Sequence, residues 1–245
     1  MWPIPVLEHK FVSVLFFSDA LVCCWIRPYF AKASSGTQDE RTKGKFLKLC
    51  AYKRYPLTTE LVHLMIFNPT LIKKYITSFL QQYELEDAFI AFSLHGALVT
   101  ESFIAMPTST PHRSDFGIMS GAKSTLWHYQ YLYPYEGQFI FYLYTVPRVL
   151  ILQYQLLAIA AQCNLIMMTT HTVGLLSTYQ HIFGSAFRRS QLGLDMMRYG
   201  NNIIDCISVD SLHRIIHCGT DINVNQERLY LATAVGLFCS ERLEK

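Results

Sequence analysis

Two aspartates stand where strand-like apolar runs give way to short polar turns. Asp19 interrupts "FVSVLFFSDALVCCWI" (11–26) beside Ser18. Asp195 closes the apolar start of "LGLDMMRYGNNIIDCISVDSLHRII" (192–216), ahead of a polar turn over Arg198 to Asn202 that contains Gly200 and Asn201. An acid at a strand end beside a tight turn suits phosphate or metal chemistry, because the carboxylate can hold a cation while backbone N–H groups reach anionic oxygens. Other constellations are weaker. His213, His217 and Cys218 would share a strand, with the two histidines on one side, but a metal needs more ligands than these. Ser190, His181 and Asp195 make a triad on paper, without the G-x-S-x-G elbow that exposes a serine nucleophile. Arg188 and Arg189 follow a helical stretch and could meet an acidic peptide or a phosphate; a solvated loop explains them as well.

The elements that must position these residues follow from periodicity. Ser18-Asp19 divides 11–26 into two strand-length halves rich in Val, Phe, Cys and Trp, which predicts a β-hairpin. The polar segment 31–45 reads as a loop, and 46–57 resumes strand alternation. Lys43, Lys45, Lys48, Lys53 and Arg54 make this region basic, as a solvated strand face or as a surface for an acidic partner or lipid headgroups. Residues 58–85 show helical spacing, capped by Thr58 or Thr59 and broken at Asn68-Pro69, where a second helix starts. "DAFIAFSLHGALVTESFI" (87–104) predicts a hairpin turning at His95-Gly96. A short helix fits 115–126. Residues 127–165 read as strand, Glu136-Gly137 turn, strand, then a buried helix from Pro147. Residues 166–184 begin as a strand and turn helical near Thr170. Three strands over 192–216 and a helix over 225–244, capped by Asn225, complete the chain.

The totals bound the answer. Among 245 residues, 51% are hydrophobic and 16% charged, with 15 Tyr and 16 Phe, so the chain can build a sizeable core and is not disordered. A net charge of +3 gives no indication of nucleic acid. The seven cysteines are odd in number, form no CxxC pair and mostly lie in apolar runs, which fits buried thiols in a reducing compartment. The 11–26 run is too short for a membrane span and contains Asp19, and the start "MWPIPVLEHK" lacks the basic region of a signal peptide, so no direct membrane insertion is expected.

The order of elements, with several local phrases, resembles the actin-like (ribonuclease-H-like) fold of PilM/HofM-type pilus assembly proteins. The hairpin 11–26 matches that family's first two strands, whose turn is a phosphate loop. "DAFIAFSLHGALVTESFIAMP" looks like the hairpin of the inserted subdomain. "YLYTVPRVLILQYQLLAIAAQCNL" resembles the strand and helix that close it. "LGLDMMRYGNNIIDCIS" takes the place of the second phosphate hairpin, and "ERLYLATAVGLF" that of the closing helix. The resemblance implies an α/β, two-lobed fold: a first lobe over 1–185 with an inserted α+β subdomain at about 86–145, and a reduced second lobe over 186–245.

ATP sites of that fold need glycine-containing hairpins, since a Cβ keeps backbone away from phosphate. "FFSDAL" has no glycine. In the second turn Met196, Met197 and Tyr199 fill positions where small residues would be expected, and Gly200 remains. Ser18, Asp19, Asp195, Gly200 and Asn201 are therefore the candidate nucleotide-facing residues of two degenerate turns, with no metal site expected. The resemblance implies a non-catalytic cytoplasmic scaffold of a type IV pilus, type II secretion or DNA-uptake platform. It would bind the cytoplasmic peptide of a single-pass inner-membrane protein, at the inner face of that membrane, without nucleic acid and with oligomerisation left open. The alternative is an actin-like ATP–magnesium-binding protein or ATPase with atypical phosphate loops.

Overall fold

The computed structural model describes residues 10–29, 46–58, 61–62, 64–116, 124–183, 195, 202–218 and 222–240. A six-stranded sheet organises them. Its first three strands, β1 (Phe11–Phe16), β2 (Ala20–Tyr29) and β3 (Phe46–Pro56), form an antiparallel meander. β6 (Phe89–Leu94) pairs parallel to β1, and β10 (Asn164–Thr170) pairs parallel to β6. The short β11 (Ile216–His217) pairs parallel to β3, giving the order β10-β6-β1-β2-β3-β11.

The central strand shows why the sheet is covered on both sides. All six residues of β1 are buried, which the sequence FVSVLF allows because it carries no charge. Phe11 and Leu15 face one core, and Val12, Val14 and Phe16 face another. β2 divides the same way, with Ala20, Val22, Cys24 and Ile26 on the first side and Leu21 and Cys23 on the second. Ser13 is the polar exception, and its hydroxyl donates to the Ala234 carbonyl at 3.1 Å, so no buried group is stranded there.

Helices α1 (Pro69–Gln82) and α2 (Arg148–Ala160) cover the second side. α1 starts where the sequence says it must: Asn68 Oδ1 accepts from the Leu71 N–H at 3.0 Å, and Pro69 fills the first turn. α3 (His171–Phe183), α4 (Val209–Ile215) and α5 (Arg228–Ser240) cover the first side. α3 and α5 cross at two glycines. A Cβ on Gly236 would stand 1.6 Å from the Gly174 carbonyl oxygen, so only glycine permits this approach.

A second sheet of order β7-β9-β8 is built from β7 (Thr100–Met106), β8 (Thr125–Tyr135) and β9 (Gln138–Pro147), all antiparallel. Glu136 and Gly137, at φ 47° and 76°, make the two-residue turn between β8 and β9. Met106, Phe116, Phe141 and Leu143 form its own small core.

Five expectations are corrected. Residues 61–66 hold two-residue strands, β4 (Leu61–Val62) and β5 (Met65–Ile66), instead of a helix, and Leu64 at φ 73° breaks helical backbone between them. β6 and β7 are not a hairpin: both edges of β6 are taken by β1 and β10, so the chain passes through Gly96 into the other sheet. The strands expected over 202–216 are instead a 3-10 turn at Ile203–Cys206, helix α4 and β11; Ser208 caps α4 by accepting from the Ser211 N–H at 3.1 Å. α5 begins at Arg228, after a turn in which Asn223 accepts from the Asn225 N–H at 3.1 Å. In the expected 115–126 helix, a 3-10 turn covers Arg113–Phe116 and β8 starts at Thr125, while 117–123 lies outside the described residues. The loop at 31–45 also lies outside them.

Candidate functional site

Three strands run parallel and end in register. Phe16, Leu94 and Thr170 are aligned partners at the C-terminal ends of β1, β6 and β10. The next residue in each segment is therefore delivered to one place: Phe17, His95 and His171. Open α/β sheets bind ligands beyond such strand ends. Here the place is filled by rings. Phe17 and His171 have centroids 4.0 Å apart, His95 stacks on His171 at 5.1 Å and 13°, and Tyr230 of α5 meets Phe17 edge-on at 4.5 Å.

His171 opens α3 and is 2% exposed, with no hydrogen-bond partner for either ring nitrogen among the described residues. Burial holds its pKa well below the ordinary histidine range, and neighbouring His95 adds to the effect. The Ser93 backbone opposes the shift without making a well-formed hydrogen bond. His171 is therefore a neutral imidazole. It lines a cleft of about 600 Å³ with His95, Glu101, Thr172, Asn202 and Leu229.

Glu101 is held in place. Tyr142 donates to its Oε1 at 2.5 Å, and Thr172 donates to its Oε2 at 2.9 Å. Since the Tyr142 proton is spent on Glu101, the Thr170 hydroxyl, 2.8 Å away, donates to Tyr142. Burial, then the Glu101 charge, pushes the Tyr142 phenol far up. This network joins β7 and β9 of the small sheet to the β10–α3 junction of the large one.

Ser18 and Asp19 occupy the β1–β2 turn, where both are exposed. Asp19 pairs with Arg54 at 3.0 Å, and Arg54 also approaches Glu227 at 3.9 Å and lies over the Tyr230 ring. Asp195 lies elsewhere in the hydrogen-bond pattern: it accepts from the Tyr179 hydroxyl of α3. Gly200 and Asn201 lie outside the described residues, as do Ser190, Arg188 and Arg189. His213 stands on α4 and His217 on β11, so the two do not share a strand. Among the described residues, no group of three His, Cys, Asp or Glu side chains could hold a metal ion. The cysteines form no disulfide; Cys23, Cys24 and Cys239 are buried and the other four half-buried. Burial pushes the thiols of Cys163, Cys206 and Cys218 up to about 11.

A second concave surface runs along β10. This strand ends the six-stranded sheet, so among the described residues its outer edge has no neighbour in that sheet. A bulge between Leu165 and Met167 leaves Ile166 unpaired with β6 and 38% exposed. Residues 166–169, His128 of β8, Tyr144 of β9 and Val173 of α3 line a groove of about 530 Å³. At one end of it Ser240 donates to the Met167 sulfur at 3.4 Å.

No family model and no curated protein matches the sequence. Solved structures do match. A chain of the PilM–PilN type IV pilus biogenesis complex aligns with a TM-score of 0.52 at 11% identity, over 72% of this chain and 51% of that one. This chain has the PilM-type, actin-like fold. It spans about half the length of the protein it matches. Weaker likenesses are to the cytoplasmic domain of EpsL, an inner membrane component of the type II secretion system of Vibrio cholerae (TM-score 0.39, 8% identity, 68% of this chain and 57% of that one). Another is to a Bacteroides thetaiotaomicron protein with actin-like ATPase fold and unknown function (TM-score 0.33, 6% identity, 71% and 57%). The fold rests on the first of these alone.

The sequence identified Ser18 and Asp19 as turn residues but not the ring cluster beside them. The only signal for that cluster was the position of His95 and His171 at the ends of two apolar runs. The open edge of β10 had no sequence signal, because the strand's apolar character does not say whether one or two neighbours pair with it.

Proposed function

We propose that this chain is a non-catalytic scaffold of a pilus, secretion or DNA-uptake assembly platform at the cytoplasmic face of an inner membrane, and that it holds the tail of a single-pass, membrane-anchored partner. The supporting observation is the edge of β10, open among the described residues, along a groove of mixed polar and apolar lining, in a chain with the fold of a protein solved in a PilM–PilN complex. An unpaired strand edge offers alternating N–H and C=O groups to an extended peptide, and adjoining pockets read every second side chain. Ile166, Met167 and Val173 supply apolar contacts, and His128, Gln130 and Ser177 supply polar ones. The ring cluster favours a scaffold over an ATPase. Phe17 stands where the first turn would have to bring its backbone to a phosphate, and Arg54 holds the Asp19 carboxylate.

The test is affinity purification from the native host in mild detergent, with wild type and with Ile166→Lys in parallel. A single-pass membrane protein recovered by wild type and lost with Ile166→Lys supports the groove, and calorimetry with that protein's cytoplasmic peptide then measures it. Equal recovery by both removes the groove from the account. Calorimetry with ATP and magnesium separates the alternative: saturable binding abolished by Asp195→Ala overturns the non-catalytic reading.

A further inference from the structure

The outer layer formed by α1 and α2 has an unusual surface. α2 was expected to be a buried helix, yet it buries only Leu150, Tyr154, Leu157 and Ala158. Val149, Leu152, Leu156 and Ile159 are 55%, 56%, 64% and 71% exposed. At 3.6 residues per turn these four positions fall within an arc of about 80°, one continuous stripe along the helix. Phe67, 68% exposed, stands just before α1. A cleft of about 470 Å³ separates the two helices, with Lys73 and Thr70 of α1 facing Leu156 and Ala160 of α2.

The charges on this layer are all of one sign. Neither α1 (PTLIKKYITSFLQQ) nor α2 (RVLILQYQLLAIA) contains an acid, while Lys73, Lys74 and Arg148 are exposed. From Gly137 to Leu194 the chain has no Asp or Glu at all. The acids nearest α1 in the described chain, Glu84, Glu86 and Asp87, follow its C-terminal end, where Lys10 pairs with Asp87 at 3.0 Å. None of Lys73, Lys74 and Arg148 has an ion pair among the described residues.

We propose that the α1–α2 face is a peripheral docking surface for an anionic lipid bilayer. An apolar stripe beside exposed lysines suits a helix lying in the membrane interface, with side chains among acyl chains and ammonium groups at lipid phosphates. The same charge pattern argues against a second copy of this chain, since self-pairing would bring the cations of both copies together with no acid between them. It also differs from the β10 groove: the α2 backbone is satisfied within its helix and offers an extended peptide nothing to pair with. No helix among the described residues is long and apolar enough to cross a membrane, so the contact lies on the surface.

Vesicle sedimentation tests this. The full chain is mixed with vesicles of phosphatidylcholine alone, or of phosphatidylcholine with one third phosphatidylglycerol. The expected result is salt-sensitive binding to the anionic vesicles only. Leu156→Gln with Ile159→Gln should weaken it about tenfold or more, as should Lys73→Gln with Lys74→Gln. These positions are exposed, and circular dichroism confirms that the variants keep the fold. Absence of binding, or binding that neither pair of substitutions weakens, overturns the proposal. So does a solution dimer that Leu156→Gln with Ile159→Gln dissociates, which assigns the face to a second copy.

Discussion

Acidification should destabilise this protein through His171, and replacing that residue should remove the effect. In the fold, His171 is neutral: it is 2% exposed, both ring nitrogens lack partners among the described residues, and Phe17, His95 and the Glu101-lined cleft surround it. In the unfolded chain it titrates near the ordinary value of 6.5. Its folded pKa is therefore the lower of the two. As pH falls through 6.5 the unfolded state takes up a proton that the folded state refuses, so stability is present above that pH and lost below it. Between pH 6.5 and 5.5 the unfolded histidine goes from about half to about nine-tenths protonated, which costs about 1 kcal/mol. For a domain of this size that is a fall in Tm of about 2–4 °C. The assay is urea unfolding of wild type and His171→Leu at pH 7.5, 6.5 and 5.5. Other histidines and carboxylates add their own slopes, but these are shared by both proteins. The difference between the two curves isolates residue 171 even when the leucine changes absolute stability. Wild type should lose about 1 kcal/mol more than the variant across that unit. Parallel curves would refute the reasoning, because they require the imidazole to gain its proton in the folded protein as readily as outside it.

Two further outcomes follow from contacts between elements. Gly236→Ala should cost at least about 3 kcal/mol in urea unfolding, since its Cβ would overlap the Gly174 carbonyl and force α3 and α5 apart. Gly174→Ala, whose Cβ would meet the Thr233 oxygen at 2.9 Å, should cost less, and a Gly236→Ala protein within 1 kcal/mol of wild type contradicts the crossing. Tyr142→Phe should cost about 1.5–3 kcal/mol by removing the proton that satisfies Glu101 Oε1, and proteolysis should then cut first in the small sheet; unchanged stability would show that water replaces the phenol.

The sequence made some elements legible because a local residue decided them. Asn68-Pro69 fixes the start of α1, Glu136-Gly137 fixes a turn between aligned strands, and Ser18-Asp19 splits a run that would otherwise pass for one long strand. Where pairing decided the outcome, local pattern failed. "DAFIAFSL" and "TESFIAM" flank a glycine like hairpin strands, yet β6 is almost wholly buried while most of β7 is half-exposed. A strand buried on both faces belongs in the middle of a sheet, and the two neighbours of β6 are β1 and β10, which come from distant parts of the chain and leave β7 no edge to pair with. The residues 203–216 failed for another reason: their isoleucines and valine favour strands, but the Ser208 cap and burial of Leu212 against the main core select a helix.

The ring cluster was illegible for a geometric reason. Residues 17, 95 and 171 are far apart in the chain and meet only because β1, β6 and β10 end in register. A shift of one residue in either pairing would turn an imidazole to the opposite face and leave the strand ends open. The bulge at Ile166 bears on this directly. It places one extra residue between the Leu165–Ile90 and Met167–Ala91 pairs, after which the ladder resumes and runs to Thr170 opposite Leu94, with His171 beside His95. The same extra residue turns Ile166 outward at the open edge. Deleting residue 166 should therefore separate the two features: the Leu165–Ile90 and Met167–Ala91 pairs become neighbours in one regular ladder with Thr170 still opposite Leu94, so the pH dependence assigned to His171 stays while any peptide binding that uses Ile166 along β10 weakens. Loss of the pH dependence in the deletion variant would show that the bulge itself holds the strand ends in register.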